Sequence, residues 1–234
     1  MELDLNHKKN GLYLFEQTLP IFMRFCEELA LITTAYNIKM VPYNSVGINK
    51  FISLDLSQQF EILNSLKSYL QQLTEASLKK IEMRSDGRLH AWSSLTGLGF
   101  VPSKDLFDKI SPTDIIEIYD VSSLQLFRSF ELYNHISYSF SELFCFPWME
   151  LFERDSFVGQ RMLNASNEVL SGKGNDVYLT NMPNHIVKEK FSVSKHWIEM
   201  KHRLMAPLNR ADGSRAGFIN VFEIVNYGSE KSST

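Results

Sequence analysis

The sequence predicts an α+β fold, an antiparallel sheet with covering helices preceded by a helical N-terminal region. Three observations carry that prediction. Residues 195–225 read as two long strands, KHWIEMKHRLMAPL and AGFINVFEIV, joined by a tight turn at Asn209-Arg210-Ala211-Asp212-Gly213. An amphipathic helix is expected just before them, over 153–170, with Phe157, Val158, Met162, Leu163 and Val169 apolar. The first third repeats apolar side chains at helical spacing, from Leu12 and Phe15 through Leu19, Phe22, Phe25 and Leu29 to Ile32.

The remaining elements follow in order. Pro20 marks a helix start or a kink within 11–36, because proline removes a backbone donor. Residues 37–50 hold Pro42, Asn44, Ser45 and Gly47 and read as an irregular connection. A second helix begins at a cap on Asp55 or Ser57, with Phe60, Leu63, Leu66, Leu70 and Leu73 along one side. That leucine seam packs within the chain or against a second copy. Residues 83–103, with Asp86-Gly87, Gly97, Gly99 and Pro102, read as a hairpin or loop. Residues 115–120 and 124–130 are strand-like, short helical pieces are expected over 131–152, and Gly172-Lys173-Gly174-Asn175 closes the longer helix. Val177-Tyr178-Leu179 starts a third strand, and the polar stretch 228–234 reads as a disordered tail.

Composition narrows the function classes. The chain has 234 residues, 44% of them hydrophobic and 12% aromatic, enough for a sizeable core. With 24 basic and 27 acidic residues the net charge is −3, which gives no footprint for direct nucleic-acid binding. The N-terminus lacks a basic stretch followed by an apolar core, and the span 12–36 is too polar to cross a bilayer, so a cytoplasmic protein is expected. The two cysteines, Cys26 and Cys145, lie far apart among apolar neighbours and read as buried free thiols. No G-x-S-x-G, H-E-x-x-H, P-loop or C-x-x-C motif occurs, so no enzyme is expected.

From residue 112 the order is strand, strand, short helices, long helix, strand, strand, strand. The closing hairpin carries Pro207-Leu208, Asp212-Gly213 and Gly217-Phe218-Ile219. On these residues the stretch 112–227 resembles the PAS family of sensor domains. The resemblance implies a five-stranded antiparallel sheet curved around a cleft closed by the helix at 153–170. The chain is thus read as a helical region at 1–110, which the resemblance leaves unmatched and which has a possible dimerisation role, a PAS-like sensor domain at 111–227, and a tail at 228–234. Such clefts hold haem, flavin or small organic ligands, or are filled by side chains. No histidine lies in 153–170, which speaks against haem, and Phe144-Cys145-Phe146-Pro147 lacks the flavin-photoreceptor pattern. The cofactor is therefore left unknown.

Strict alternation over 196–206 puts His196, Ile198, Met200, His202, Leu204 and Ala206 on one face, with His202 as the titratable group expected within the cleft. The expected ligand-binding set is Phe144, Trp148, Phe157, Met162, Ile198, Met200, His202, Leu204, Ile219 and Val221. The aromatic run Phe140, Phe144, Phe146, Trp148 and Phe152 is either a pocket roof or plain core. The reading is thus a non-enzymatic signal-sensing regulator that binds a small apolar ligand or a protein partner, with a homodimer expected and no membrane. Its rivals are an adaptor with a filled cleft, favoured by an exposed patch at Trp197, Phe218 or Phe222, and the sensory part of a LuxR-type regulator. An enzyme would be revived by a buried polar constellation around Cys145 or His202.

Overall fold

The computed structural model describes residues 2–81, 86–171, 176–179, 181–192 and 194–229, and their side chains apart from those of 2–18, 177 and 178. In chain order the elements are α1 (Glu2–Ala35), α2 (Ser45–Ser53), α3 (Leu56–Leu78), α4 (Gly87–Gly97), β1 (Val101–Pro102), β2 (Ile115–Asp120), β3 (Gln125–Arg128), α5 (Phe140–Cys145), α6 (Trp148–Leu151), β4 (Phe152–Glu153), α7 (Ser156–Leu170), β5 (Val177–Tyr178), β6 (His185–Glu189), β7 (His196–Asn209) and β8 (Arg215–Ser229). Single 3-10 turns lie at Phe107–Lys109 and Phe130–Asn134. The protein is α+β, with a curled antiparallel sheet. No helix among the described residues is long and apolar enough to cross a membrane.

Two compact units result: the residues up to Leu70 together with Tyr138–Pro147, and Gln71–Ser137 together with the residues from Trp148 onward.

The first unit is helical. Pro20 lies inside α1 rather than at its start. Phe25 of α1 stacks on Phe51 of α2 with ring centroids 3.9 Å apart, and Leu29 and Ile32 are buried beside it in sequence. Asn44 caps α2 by accepting from the Gly47 amide at 2.9 Å, while its own amide donates to Glu142 at 2.8 Å. Glu142 and Ser139 form the capping box that starts α5. A side chain at Gly47 would stand 2.1 Å from the Ser141 hydroxyl, so α2 and α5 approach as closely as glycine allows. Asp55 caps α3 by accepting from Gln58, and along the side expected as a seam Leu63 and Leu66 are buried while Phe60 is exposed.

The second unit is built on the sheet, in the order β3-β2-β8-β7-β6-β4, all antiparallel. β5 and β1 extend the outer edge of β7, so the sheet has eight strands where five were expected. The segment at Val177 forms the short strand β5, β6 is a further strand that was not expected, and β8 runs through Gly228 and Ser229, where a tail was expected. Residues 230–234, and the helix terminator at 172–175, lie outside the described residues. The stretch expected as a hairpin or loop holds α4, whose N-cap is Asp86, accepting from the Arg88 amide at 2.9 Å. The β7–β8 turn closes through Arg210 and Ser214, with Gly213 at φ +82°.

Gly217 faces β2 where no side chain fits. A Cβ there would lie 1.9 Å from the Tyr119 carbonyl oxygen and 2.9 Å from Asp120 Cα, both backbone atoms that cannot swing aside. Gly217→Ala is therefore expected to cost at least about 2 kcal/mol, the overpacking range, in a urea titration. A variant as stable as the parent would show that β2 and β8 are not held at this spacing.

Candidate functional site

Which side chains meet on the sheet is decided by one extra residue in β7. The register runs His202 opposite Phe222 and then Leu204 opposite Val221, so Arg203 is a bulge. Strict alternation fails past that point. Ile198, Met200 and His202 share a face with Met205, while Leu204 turns to the opposite face, with Val221 and Ile219 across from it and from Ala206. Arg203 spends its guanidinium on the buried carboxylate of Asp114, which anchors the bulge.

One sheet face is covered by α7: Ala165 and Val169 pack with Tyr119, Met205, Phe218 and Leu179, and Met162 and Leu170 lie against them. The other is covered by α4, whose His90 meets the Phe127 ring edge-on at 4.8 Å. The ten expected ligand residues therefore divide. Ile198, Met200, His202 and Met162 lie on the α7 face. Leu204, Ile219 and Val221 face away from it, as Leu204 does past the bulge, and are core. Phe157 is 61% exposed and lines nothing. Phe144 packs with Tyr69 and Phe140 in the first unit, whereas Trp148 meets Phe152 at a tilt, ring centroids 4.2 Å apart, in the second, so the aromatic run divides between the units.

Alternation hid the polar character of the α7 face. A row of polar side chains crosses five strands there: Gln125 and Arg128 on β3, Glu117 and Tyr119 on β2, Asn220 on β8, His202 on β7 and His185 on β6. Glu117 is 1% exposed, and its carboxylate accepts from the Tyr119 hydroxyl at 2.9 Å, Gln125 Nε2 at 2.9 Å and Asn220 Nδ2 at 3.1 Å. Arg128, also buried, stands 3.7 Å away as its counter-ion.

That arrangement sets the next two groups. Because the Asn220 amide donates to Glu117, its carbonyl oxygen must face His202 Nδ1 at 3.3 Å, so His202 donates from Nδ1. Its Nε2 is then a bare acceptor, shielded from solvent and without a partner among the described residues. His185 lies parallel to His202, ring centroids 5.2 Å apart, with Nδ1 directed at the Pro183 carbonyl at 3.5 Å and Nε2 equally unpartnered. Burial, then the neighbouring His185, pushes His202 down to about 3, and burial lowers His185 too, so both imidazoles are neutral near pH 7. Burial and the Glu117 charge raise Tyr119 well above its usual value, keeping it a donor.

Arg154, from the link between β4 and α7, belongs to this group and bears electrostatically on Glu117, Tyr119, His185 and His202. Its guanidinium lies 4.9 Å over the Trp148 ring and donates from Nη1 to Met162 Sδ at 3.2 Å. Burial lowers its pKa. Sequence reading missed Glu117, Asn220, His185 and Arg154.

Cys145 is not part of any such chemistry, because burial pushes its thiol up to about 12. Both cysteines are free. No group of three or more His, Cys, Asp or Glu among the described residues is placed to hold a metal ion. No protein-family model matches the chain, and no curated protein matches it.

Proposed function

We propose that the second unit is a non-enzymatic ligand-sensing module whose ligand contacts the α7 face of the sheet. The observation that carries this reading is the pair of shielded, unpartnered Nε2 atoms on His185 and His202, that of His202 held as an acceptor by the chain Glu117–Asn220–His202. Buried polar groups are normally satisfied, and an oriented acceptor pair left open suits a molecule that brings donors. The order β2, β3, short helices, α7, β5, and the closing pair β7 and β8 is the order on which the resemblance to PAS sensor domains rests, with β4 and β6 added to it, and it supports the same reading. The ligand is polar rather than purely apolar, because the row it meets is polar. The buried polar constellation around His202 is the feature that would revive an enzyme, but burial holds its imidazole at about 3, and so weak a base near neutrality favours sensing over catalysis. Phe218 and Phe222 are buried, so the exposed patch that an adaptor would use is not formed by them.

A bound ligand would shift the population of α7 packings against the sheet, and the signal would leave through that helix to a partner or a second copy. Native mass spectrometry of the protein purified from its own host tests this. The expected spectrum shows the 27.1 kDa chain with a retained small molecule that His202→Leu loses. Retention that is the same in His202→Leu, or no retained molecule and no compound from a metabolite panel raising the melting temperature, overturns the reading.

A further inference from the structure

Arg154 presents an open fork. Its Nε and Nη2, the two donors along one edge of the guanidinium, are both shielded from solvent and both without a hydrogen-bond partner among the described residues. Nη1 is spent on Met162, and the Trp148 ring fixes the plane of the group. The nearby carboxylates are already used. Glu117 accepts from three side chains and faces Arg128, and Asp155 caps α7 by accepting from the Phe157 and Val158 amides at 2.9 and 3.2 Å. A buried guanidinium without an anion is costly to keep, and a planar carboxylate fits a two-donor edge with parallel hydrogen bonds.

We infer that the ligand of the α7 face is a small organic monocarboxylate, gripped side-on by Nε and Nη2 of Arg154, which also carries a hydroxyl or N–H donor for the Nε2 of His202 or His185. This deepens the proposed function and rests on it. The two imidazoles narrow the chemistry. As bare acceptors they repel additional anionic oxygens, which disfavours phosphate, and they reward a hydroxyl or N–H donor on the ligand. A divalent cation on the same two nitrogens would sit in the field of the buried guanidinium, which opposes it. Charge on the ligand is thus matched by one cation, and its donor by one or two neutral rings.

Calorimetric titration with four probes separates these contributions: glycolate, acetate, glycolamide and inorganic phosphate, each against the parent, Arg154→Gln and His202→Leu. Glycolate is expected to bind the parent at least about tenfold more tightly than acetate, which lacks the donor, or glycolamide, which lacks the charge. Arg154→Gln is expected to lose at least about tenfold in glycolate affinity, and His202→Leu to bring glycolate and acetate together. Arg154→Lys gives an independent reading, because it keeps the charge but lacks the two-donor edge: a loss of glycolate affinity close to that of Arg154→Gln is expected, and full affinity would overturn the side-on grip.

Equal binding of glycolate and glycolamide, tighter binding of phosphate, unchanged affinity in Arg154→Gln, or failure of both carboxylates to bind each overturns the inference. A neutral compound retained from the host and lost in His202→Leu leaves the sensing module standing while removing the carboxylate.

Discussion

Glu117→Gln is expected to lower the unfolding free energy by about 3–5 kcal/mol, the cost of removing one partner from a buried ion pair. Glu117 is 1% exposed and Arg128 4%, so neither charge can be recovered by water when the other is lost. The amide also sets an NH2 group where the carboxylate accepted, against the donors of Tyr119, Gln125 or Asn220. The double variant Glu117→Gln/Arg128→Met separates charge from shape: removing the stranded guanidinium should restore part of the loss. Urea titrations of the three proteins measure both. A single variant within about 1 kcal/mol of the parent would mean that Glu117 is not the buried anchor of the row. The consequence reaches His202 as well, because an Asn220 released from Glu117 no longer dictates which imidazole nitrogen carries the proton.

The strands of the closing hairpin were legible because alternation and an Asp-Gly turn are local signals, and β7 and β8 lie where those signals put them. The faces were not. A bulge at Arg203 is decided by the carboxylate of Asp114 on a distant segment, and no period in KHWIEMKHRLMAPL announces it. α4 escaped for a different reason. Its buried side is His90, Ala91, Ser93, Ser94 and Leu95, small and polar, while Leu89 and Trp92 are exposed, so there is no apolar stripe to read. β6 likewise buries His185 and Glu189 on its inner side, the latter accepting from Ser137, Ser192 and His196. A charged residue inside the apolar run IIEIY, and Asn220 inside FINVF, were the available hints of the polar row. They mark a group that must be satisfied, but satisfaction comes from strands a hundred residues apart.

Acidification should destabilise this protein steadily below about pH 6.5. His90 and His202 are both held at about 3 in the folded chain, His90 by burial alone, between the rings of Phe127 and Phe130. Their ordinary value is 6.5, and the unfolded chain recovers it. Between those two values the unfolded state binds protons that the folded state refuses, so stability is full above pH 6.5 and falls as the pH drops toward 3. Each ring then costs about 1.4 kcal/mol per pH unit below 6.5, or roughly 5 kcal/mol for the two at pH 4.5. His185 is lowered in the same sense and adds to the slope. The groups that face His202, namely His185, Arg154 and Asn220, include two that oppose its protonation and only one, the amide, that favours it. The carboxylates of Asp86, Asp105 and Asp212, held below 3.8 by Arg88, Lys109 and Ser214, act only at the far end of the range. Urea titrations from pH 8 to 4.5 should therefore be flat to about 6.5 and then steep. His90→Leu removes one ring without touching the polar row and should take about 1.4 kcal/mol per pH unit out of that slope. A His90→Leu profile parallel to the parent's would place that imidazole in contact with water or a proton acceptor, and not sealed between two phenylalanines.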